Sequence, residues 1–351
     1  MPAYASVAAP PPNDRDNQPV RTWPSPRGAP QYEQWYAIVL HPTQALALWF
    51  RHSLLQRHDG SSDARLWALV RDGRPGGRDL RLTQALPLDQ VRFEQARFGL
   101  HLGEHAFFNN GLARGRVTQS DATVAWDLRF DPASATFRSV ANPWLARAIS
   151  RSHHTSPNSQ AAVQGSLHLD SDAISLDGAM LTQGHTFGRA MQDGWAWGAC
   201  PRFDDAADCA FEAVATQRGS NTLMSCELVL DGKHHAFNRL RHLKGAGLGL
   251  LGEPTHARYA LGDWTFAARS PELVLEGRWT APREGMLRVR YPDVDGSVRY
   301  NCNQLLGSLE LEVREITGQH RRLACQGRAP FEIVAREPPW GDETSYAPAS
   351  W

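Results

Sequence analysis

The feature that most restricts this chain is its punctuation. From Gln34 onward, short apolar runs are each stopped by a turn signal: residues 35–40 by His41-Pro42, residues 45–55 by His58-Asp59-Gly60, and residues 65–71 by Asp72-Gly73. Runs rich in Trp, Val, Ile and Leu, separated at this spacing by Asp-Gly and Pro, are hairpin signals. The same grammar returns late in the chain, where residues 226–230 meet Asp231-Gly232 and residues 286–291 meet Pro292-Asp293-Val294-Asp295-Gly296 before residues 297–302. In that last hairpin Leu287, Val289 and Tyr291 share one face, while Arg288 and Arg290 share the other, which is expected to be solvated. Helical periodicity is scarce, so the expected class is all-β, a meander of antiparallel strands with few helices.

Length sets the number of units. At 351 residues the chain exceeds one small β domain, and two domains or one large sandwich are both open. Twelve Trp residues supply large rings for cores or for a ligand pocket. Lys plus Arg and Asp plus Glu both total 37, so no net field gathers nucleic acid or anionic lipid. No run is long enough to span a bilayer as a helix, and residues 1–30, rich in Pro and Ala, lack the apolar stretch of a secretory signal. A cytoplasmic protein with a loose N-terminal arm over residues 1–30 is expected. Cys200, Cys209, Cys226, Cys302 and Cys325 are odd in number and form no CxxC pair, which fits free structural thiols better than disulfides or zinc.

Residues 142–160 interrupt the strand grammar with Pro143, Pro157 and a polar Ser/His/Asn stretch. A loop with one helical turn over residues 144–150 is expected there, followed by a strand over residues 162–169. The grammar pauses again at Asp177-Gly178, which divides the chain into β domains over residues 31–177 and 178–337. From Pro338 to Trp351 the Pro-rich tail is expected to be flexible.

Several motifs fail on context. Gly247-Leu248-Gly249-Leu250-Leu251-Gly252 has the spacing of a dinucleotide loop, yet no buried parallel strand precedes it and Pro254 follows at once. The doublets His153-His154 and His234-His235 suit surface or turn positions, because strand neighbours point to opposite faces and cannot share one ion. No metal, nucleotide or other cofactor is implied. The segment from Gly184 to Gly198 differs, combining Gly184-His185-Thr186-Phe187-Gly188 with Trp195-Ala196-Trp197. Alternation places Trp195 and Trp197 on one strand face, and glycines flank His185. A core Trp pair with a hydrogen-bonded His is the simpler account; an imidazole moving a proton beside an aromatic wall is the functional one.

Tyr32-Glu33-Gln34-Trp35-Tyr36 opening a meander, together with that mid-chain segment, resembles the superfamily of tocopherol cyclase, carotenoid hydratases, AttH-like proteins and certain fungal Diels-Alderases. The similarity of layout covers about residues 31–336. The resemblance implies two lipocalin-like antiparallel β barrels or half-barrels packed together, with an apolar cavity near their junction. It implies hydration, cyclisation or binding of a small hydrophobic, isoprenoid or polyketide-like molecule, and it places His185 at the family's motif histidine. Phe187 stands where Trp is common, and Glu212 is the nearest acid following the motif. Among Phe211, Ala213 and Val214, an inward Glu212 carboxyl would be poorly solvated and would hold its proton; the solvent face is the other option. Glu227 lies across a hairpin from Glu212, through residues 218–221, and Asn303 is a polar candidate on the wall of the second barrel.

The expectation is therefore a cofactor-independent hydratase or cyclase. His185 and Glu212 supply acid/base chemistry, and Phe187, Trp195, Trp197, Glu227 and Asn303 contact the substrate. A non-catalytic lipid or isoprenoid carrier and a carbohydrate-binding β sandwich remain as alternatives, since one fold hosts many functions. Residues 84–126 read as strands without chemistry, and Glu104, His105 and Asn109 receive no role.

Overall fold

In the strand Gln31–Leu40 every residue is buried, because both faces of this strand are covered. Trp35, Ala37 and Val39 enter a first core with Phe50, Leu66 and Phe108. Tyr32, Tyr36, Ile38 and Leu40 enter another, shared with Trp197, Leu287, Val289, Tyr291 and Val334 from the later chain. A strand apolar on both faces needs a layer on each, and this one sits between the two halves.

The protein is seen as a computed structural model describing residues 13–132, 135–142, 144, 150–218, 221–239 and 256–347. In the first sheet Gln31–Leu40 lies between Leu46–Gln56 and Ala179–Gly188, antiparallel to both. On the Leu46–Gln56 side follow Ser62–Asp72 and Leu80–Leu86. On the other side Ser152–Leu169, Ala122–Phe130 and Leu112–Gln119 follow in turn. The sheet curls until the Thr83 N–H donates to Gln119 Oε1 at 3.0 Å, enclosing the first core. A second sheet carries Trp195–Cys200 between Ala210–Arg218 and Phe331–Ala335. A third runs from His256–Ala260 to His320–Cys325. These two sheets close on Ala196, Phe211, Ala213, Trp264, Trp279 and Leu311. The class is all-β and lipocalin-like, with curled antiparallel sheets, as the turn grammar and the resemblance predict.

Four local expectations change. Ala179–Gly188 pairs with Gln31–Leu40 and belongs to the first sheet, so the crossing between sheets falls over residues 189–194 instead of at Asp177-Gly178. The pause at Asp177-Gly178 is a turn within that sheet, closed by the Ala179 N–H on the Leu176 carbonyl. The polar stretch after Arg151 is no loop: Ser152–Leu169 is one long strand, irregular in register between Thr155 and Asn158 and between Asn158 and Ala161. Pro157 falls in the first irregularity, where a missing N–H interrupts no regular ladder.

The segment over residues 13–30 is not a loose arm. Asn13 and Asn17 are buried, and they join Asn110, Asn158 and Gln183 in a side-chain hydrogen-bond network at the first core. The tail likewise packs as far as residue 347: Tyr346 is buried with its hydroxyl 3.2 Å from Cys302 Sγ, and Ala347 bridges to Val289. All five cysteines are free and buried. Among the described residues no helix is long and apolar enough to cross a membrane. The Gly247 to Gly252 motif and most of the proposed helical turn over residues 144–150 lie outside the described residues.

Replacing Asn158 by Ala removes partners from Asn13, Asn110 and Gln183 together, leaving buried amides unsatisfied. The expected loss is roughly 2–4 kcal/mol of folding stability, measured by urea unfolding. A loss below about 0.5 kcal/mol would show that the amide network contributes little.

Candidate functional site

A cavity lies where the first sheet meets the second. Tyr36, Trp49 and Arg51 line it from one side, Trp195, Trp197, Tyr291 and Glu332 from the other, with His154 and Ser152 of the long polar strand along its edge. Strand alternation explains the first set, since Tyr36 projects from the face of Gln31–Leu40 opposite Trp35. Gly184 stands directly across from Tyr36, and a Cβ there would come within 2.2 Å of the phenol ring. The glycine of the mid-chain motif thus makes room for Tyr36 on the cavity side, not for His185.

His185 faces the other way. Its ring stacks on Trp35 at 4.7 Å and 12°, inside the first sheet, and it is fully buried. Nδ1 donates to the Asp16 carbonyl at 2.8 Å, and Nε2 lies 2.9 Å from Glu33 Oε1. Glu33 also accepts from the backbone of Val20 and Arg21 and from Trp23 Nε1. This pair ties the N-terminal segment to the sheet and does not reach the cavity. Phe187 packs against His185 at 5.1 Å, on the same side and also away from the cavity lining.

His153 and His154 both line the cavity, and His154 is the one that meets Tyr36. Tyr36 Oη lies 2.9 Å from its Nε2. Burial, with a smaller repulsion from His185, lowers His154 to about 3, so its ring is neutral and Nε2 accepts from the phenol. Burial also holds Tyr36 well above the ordinary phenol range, first by desolvation and then through Glu212 and Glu332. The two rings of the doublet find different partners: His153 packs at a tilt against Phe187 while His154 contacts Tyr36. At the other doublet His234 lies 3.5 Å from Glu227 and His235 3.8 Å from Glu272.

Trp195 and Trp197 do share a face, and each indole N–H ends on a carboxyl group. Trp195 Nε1 donates to Glu332 Oε1 and Trp197 Nε1 to Glu212 Oε1, at 2.8 and 2.9 Å. Ala199 stands opposite Glu212 in the register and leaves space for the longer side chain. Glu212 is inward and buried, behind the wall made by Trp197 and His154, the latter 3.9 Å away. Its Oε1 also accepts from the Ser156 hydroxyl, whereas Oε2 is enclosed without a hydrogen-bond partner. Burial raises its pKa to about 8; Ser156 and Trp197 pull it back, and Glu227 adds a smaller upward push. Near neutral pH this carboxyl keeps its proton, with Oε2 the oxygen free to carry it.

Glu227 stands directly across from Glu212, as the hairpin reading expects, but turns to His234 and does not line the cavity. Asn303 is buried opposite Glu332 in the register, behind the wall. Glu332 was not anticipated. Its second oxygen accepts from Asn301 and, at 3.4 Å, from Tyr291, and these donors partly offset the rise that burial causes. Arg51 was also missed, although a lone cation in the apolar run of residues 46–55 marks it.

No protein-family model matches the sequence, and no curated protein matches it. Solved structures of similar fold include two that cover most of this chain. A putative AttH from Nitrosomonas europaea is 13% identical at a TM-score of 0.50, over 87% of this chain and 93% of that one. Kievitone hydratase from Nectria haematococca is 11% identical at 0.51, over 86% and 88%. The chain shares their fold. The resemblance drawn from the motifs thus holds at the level of architecture.

Glu212 also sets a pH dependence. Its folded pKa lies above the ordinary 4.5, so between about 4.5 and about 8 the folded state binds the extra proton and stability falls as pH rises. The wild type should lose on the order of a few kcal/mol across that window relative to Glu212→Gln. Urea unfolding at both ends of the window checks this, and parallel profiles for the two proteins would rule it out.

Proposed function

We propose that the junction cavity takes a small, largely apolar molecule and that Glu212 delivers a proton to it, as a hydratase or cyclase does without a cofactor. The observation carrying this reading is a buried carboxyl, protonated near neutral pH and with one oxygen unpartnered, directly behind the Trp197 and His154 side chains that line an aromatic cavity. Protonating an alkene forms a C–H bond, breaks the π bond and leaves a carbocation. Indole and phenol faces at Trp49, Trp197 and Tyr36 stabilise that charge through their quadrupoles. Water then adds to the cation and returns a proton to the Glu212 carboxylate, while in a cyclisation an internal nucleophile takes its place. Trp197 and Ser156 hold the carboxyl in position, and Tyr36 with His154 shapes the adjoining wall. His185 supports the fold in this reading. Similarity of fold to kievitone hydratase makes hydration the first reaction to assay.

The aromatic rings favour a cavity ligand over a carbohydrate surface. Trp35, Trp49, Trp67, Trp126, Trp197, Trp264 and Trp279 are all buried, and none forms the exposed concave face that a lectin uses.

Incubation with prenylated phenols and polyenes, followed by mass spectrometry, tests the assignment. The wild type should release a product heavier by one water, or an isomer of altered retention. Glu212→Gln should hold the same compound unchanged, with turnover reduced at least about 100-fold. If the wild type retains every ligand unaltered, the protein is a carrier and the catalytic reading fails.

A further inference from the structure

Arg51 is a buried cation without an acceptor. It is 2% exposed, and its guanidinium carbon lies 3.9 Å from the ring centre of Tyr291, 4.4 Å from Trp67 and 5.1 Å from Trp49. Its Nε is enclosed with no hydrogen-bond partner, and among the described residues no hydrogen bond or ion pair reaches its terminal nitrogens. Glu332 attracts Arg51 electrostatically but accepts no hydrogen bond from it, its oxygens being engaged by Trp195, Asn301 and Tyr291. Three rings offset part of the desolvation cost by cation–π attraction, but the guanidinium N–H bonds lie in its plane and a ring face satisfies few of them. A buried charge left so is costly unless something else supplies the acceptor.

The open side of Arg51 is the cavity. We infer that the ligand of this cavity carries a carboxylate that seats on Arg51, with its apolar body running past Tyr36 toward Trp197. This rests on the cavity being a ligand site, as proposed above, and names the class of molecule it takes. A carboxylate is planar and matches the guanidinium fork with two parallel hydrogen bonds. A phosphate would bring more charge than the site answers, since Arg51 is the only Arg or Lys among the described lining residues. The route of the apolar body follows the rings: Tyr36 contacts Trp49 beside Arg51 at 6.4 Å and Trp197 beside Glu212 at 5.5 Å. The carboxylate therefore fixes which end of the molecule meets the proton donor.

Fluorescence titration with parinaric acid, a polyene fatty acid, and with its methyl ester tests this directly. The wild type should bind the acid about ten- to a hundredfold more tightly than the ester, the range of a charge-assisted hydrogen-bond pair. Arg51→Met should abolish that preference while keeping the ester's affinity, and Glu212→Gln should keep the preference in full. Equal affinity of wild type for acid and ester, or a preference that survives Arg51→Met, overturns the inference. Failure of the proton-donor reading would instead appear as turnover surviving Glu212→Gln, with the acid preference intact. Binding of neither compound removes the ligand site and this inference with it. Should Arg51→Met not fold, the near-isosteric Glu332→Gln serves. Removing the neighbouring negative charge should raise affinity for the acid several-fold and leave the ester unchanged, and no change for the acid counts against the seat.

Discussion

Burial of Gln31–Leu40 on both faces is the constraint from which the site follows. One face closes the first core through Trp35, Ala37 and Val39; the other, through Tyr32, Tyr36, Ile38 and Leu40, must be covered by the second sheet. Because two curved sheets cannot meet everywhere, aromatic side chains fill most of the junction and leave a cavity where Tyr36, Trp49, Trp195, Trp197 and Tyr291 converge. The glycine at position 184 is part of the same geometry, since only a residue without Cβ lets the Tyr36 phenol lie flat across the neighbouring strand. Local strand pairing and the shape of the cavity are one problem here.

The junction carries an unusual polar load for an apolar interface. Glu212 and Arg51 each keep a polar atom without a hydrogen-bond partner, and Glu332 is half-buried on the cavity lining beside them. Each such group opposes folding, and stability must come from the two flanking cores, which are built almost wholly from aliphatic and aromatic side chains. The contrast with His185 is informative. That histidine is equally buried, yet both ring nitrogens have partners and Glu33 is saturated by backbone and indole donors. Satisfied polar groups hold Glu33 and His185 between the N-terminal segment and the first sheet, whereas Arg51, His154 and Glu212 at or behind the cavity each keep an unpartnered polar atom.

Antiparallel strands, hairpin positions and the alternation of Leu287, Val289 and Tyr291 were legible in the chain because they depend on neighbours two to six residues apart. So was the pairing of Glu212 with Glu227 across one hairpin, whereas whether the Glu212 carboxyl faces inward or to solvent was left open by the sequence. The polar strand Ser152–Leu169 was not legible, because its residues find their partners far away in sequence, Asn158 at Asn13 and Ser156 at Glu212. Local composition reads as loop when the groups that satisfy it are more than fifty residues distant.

The sequence by itself determined the all-β class, the short strands and the presence of a Trp-x-Trp face, since these follow from periodicity and turn chemistry. Only the tertiary structure decided which face of Ala179–Gly188 meets the cavity. Thr186 and the glycines look toward it while His185 and Phe187 look away, because the pairing of Tyr36 with Gly184 sets the pleat. It likewise brought Arg51, His154, Glu212 and Glu332 to one junction from four distant strands. Side-chain direction along a strand has a period of two, so a motif shows which residues share a face, whereas the packing of one sheet on another shows what that face encloses.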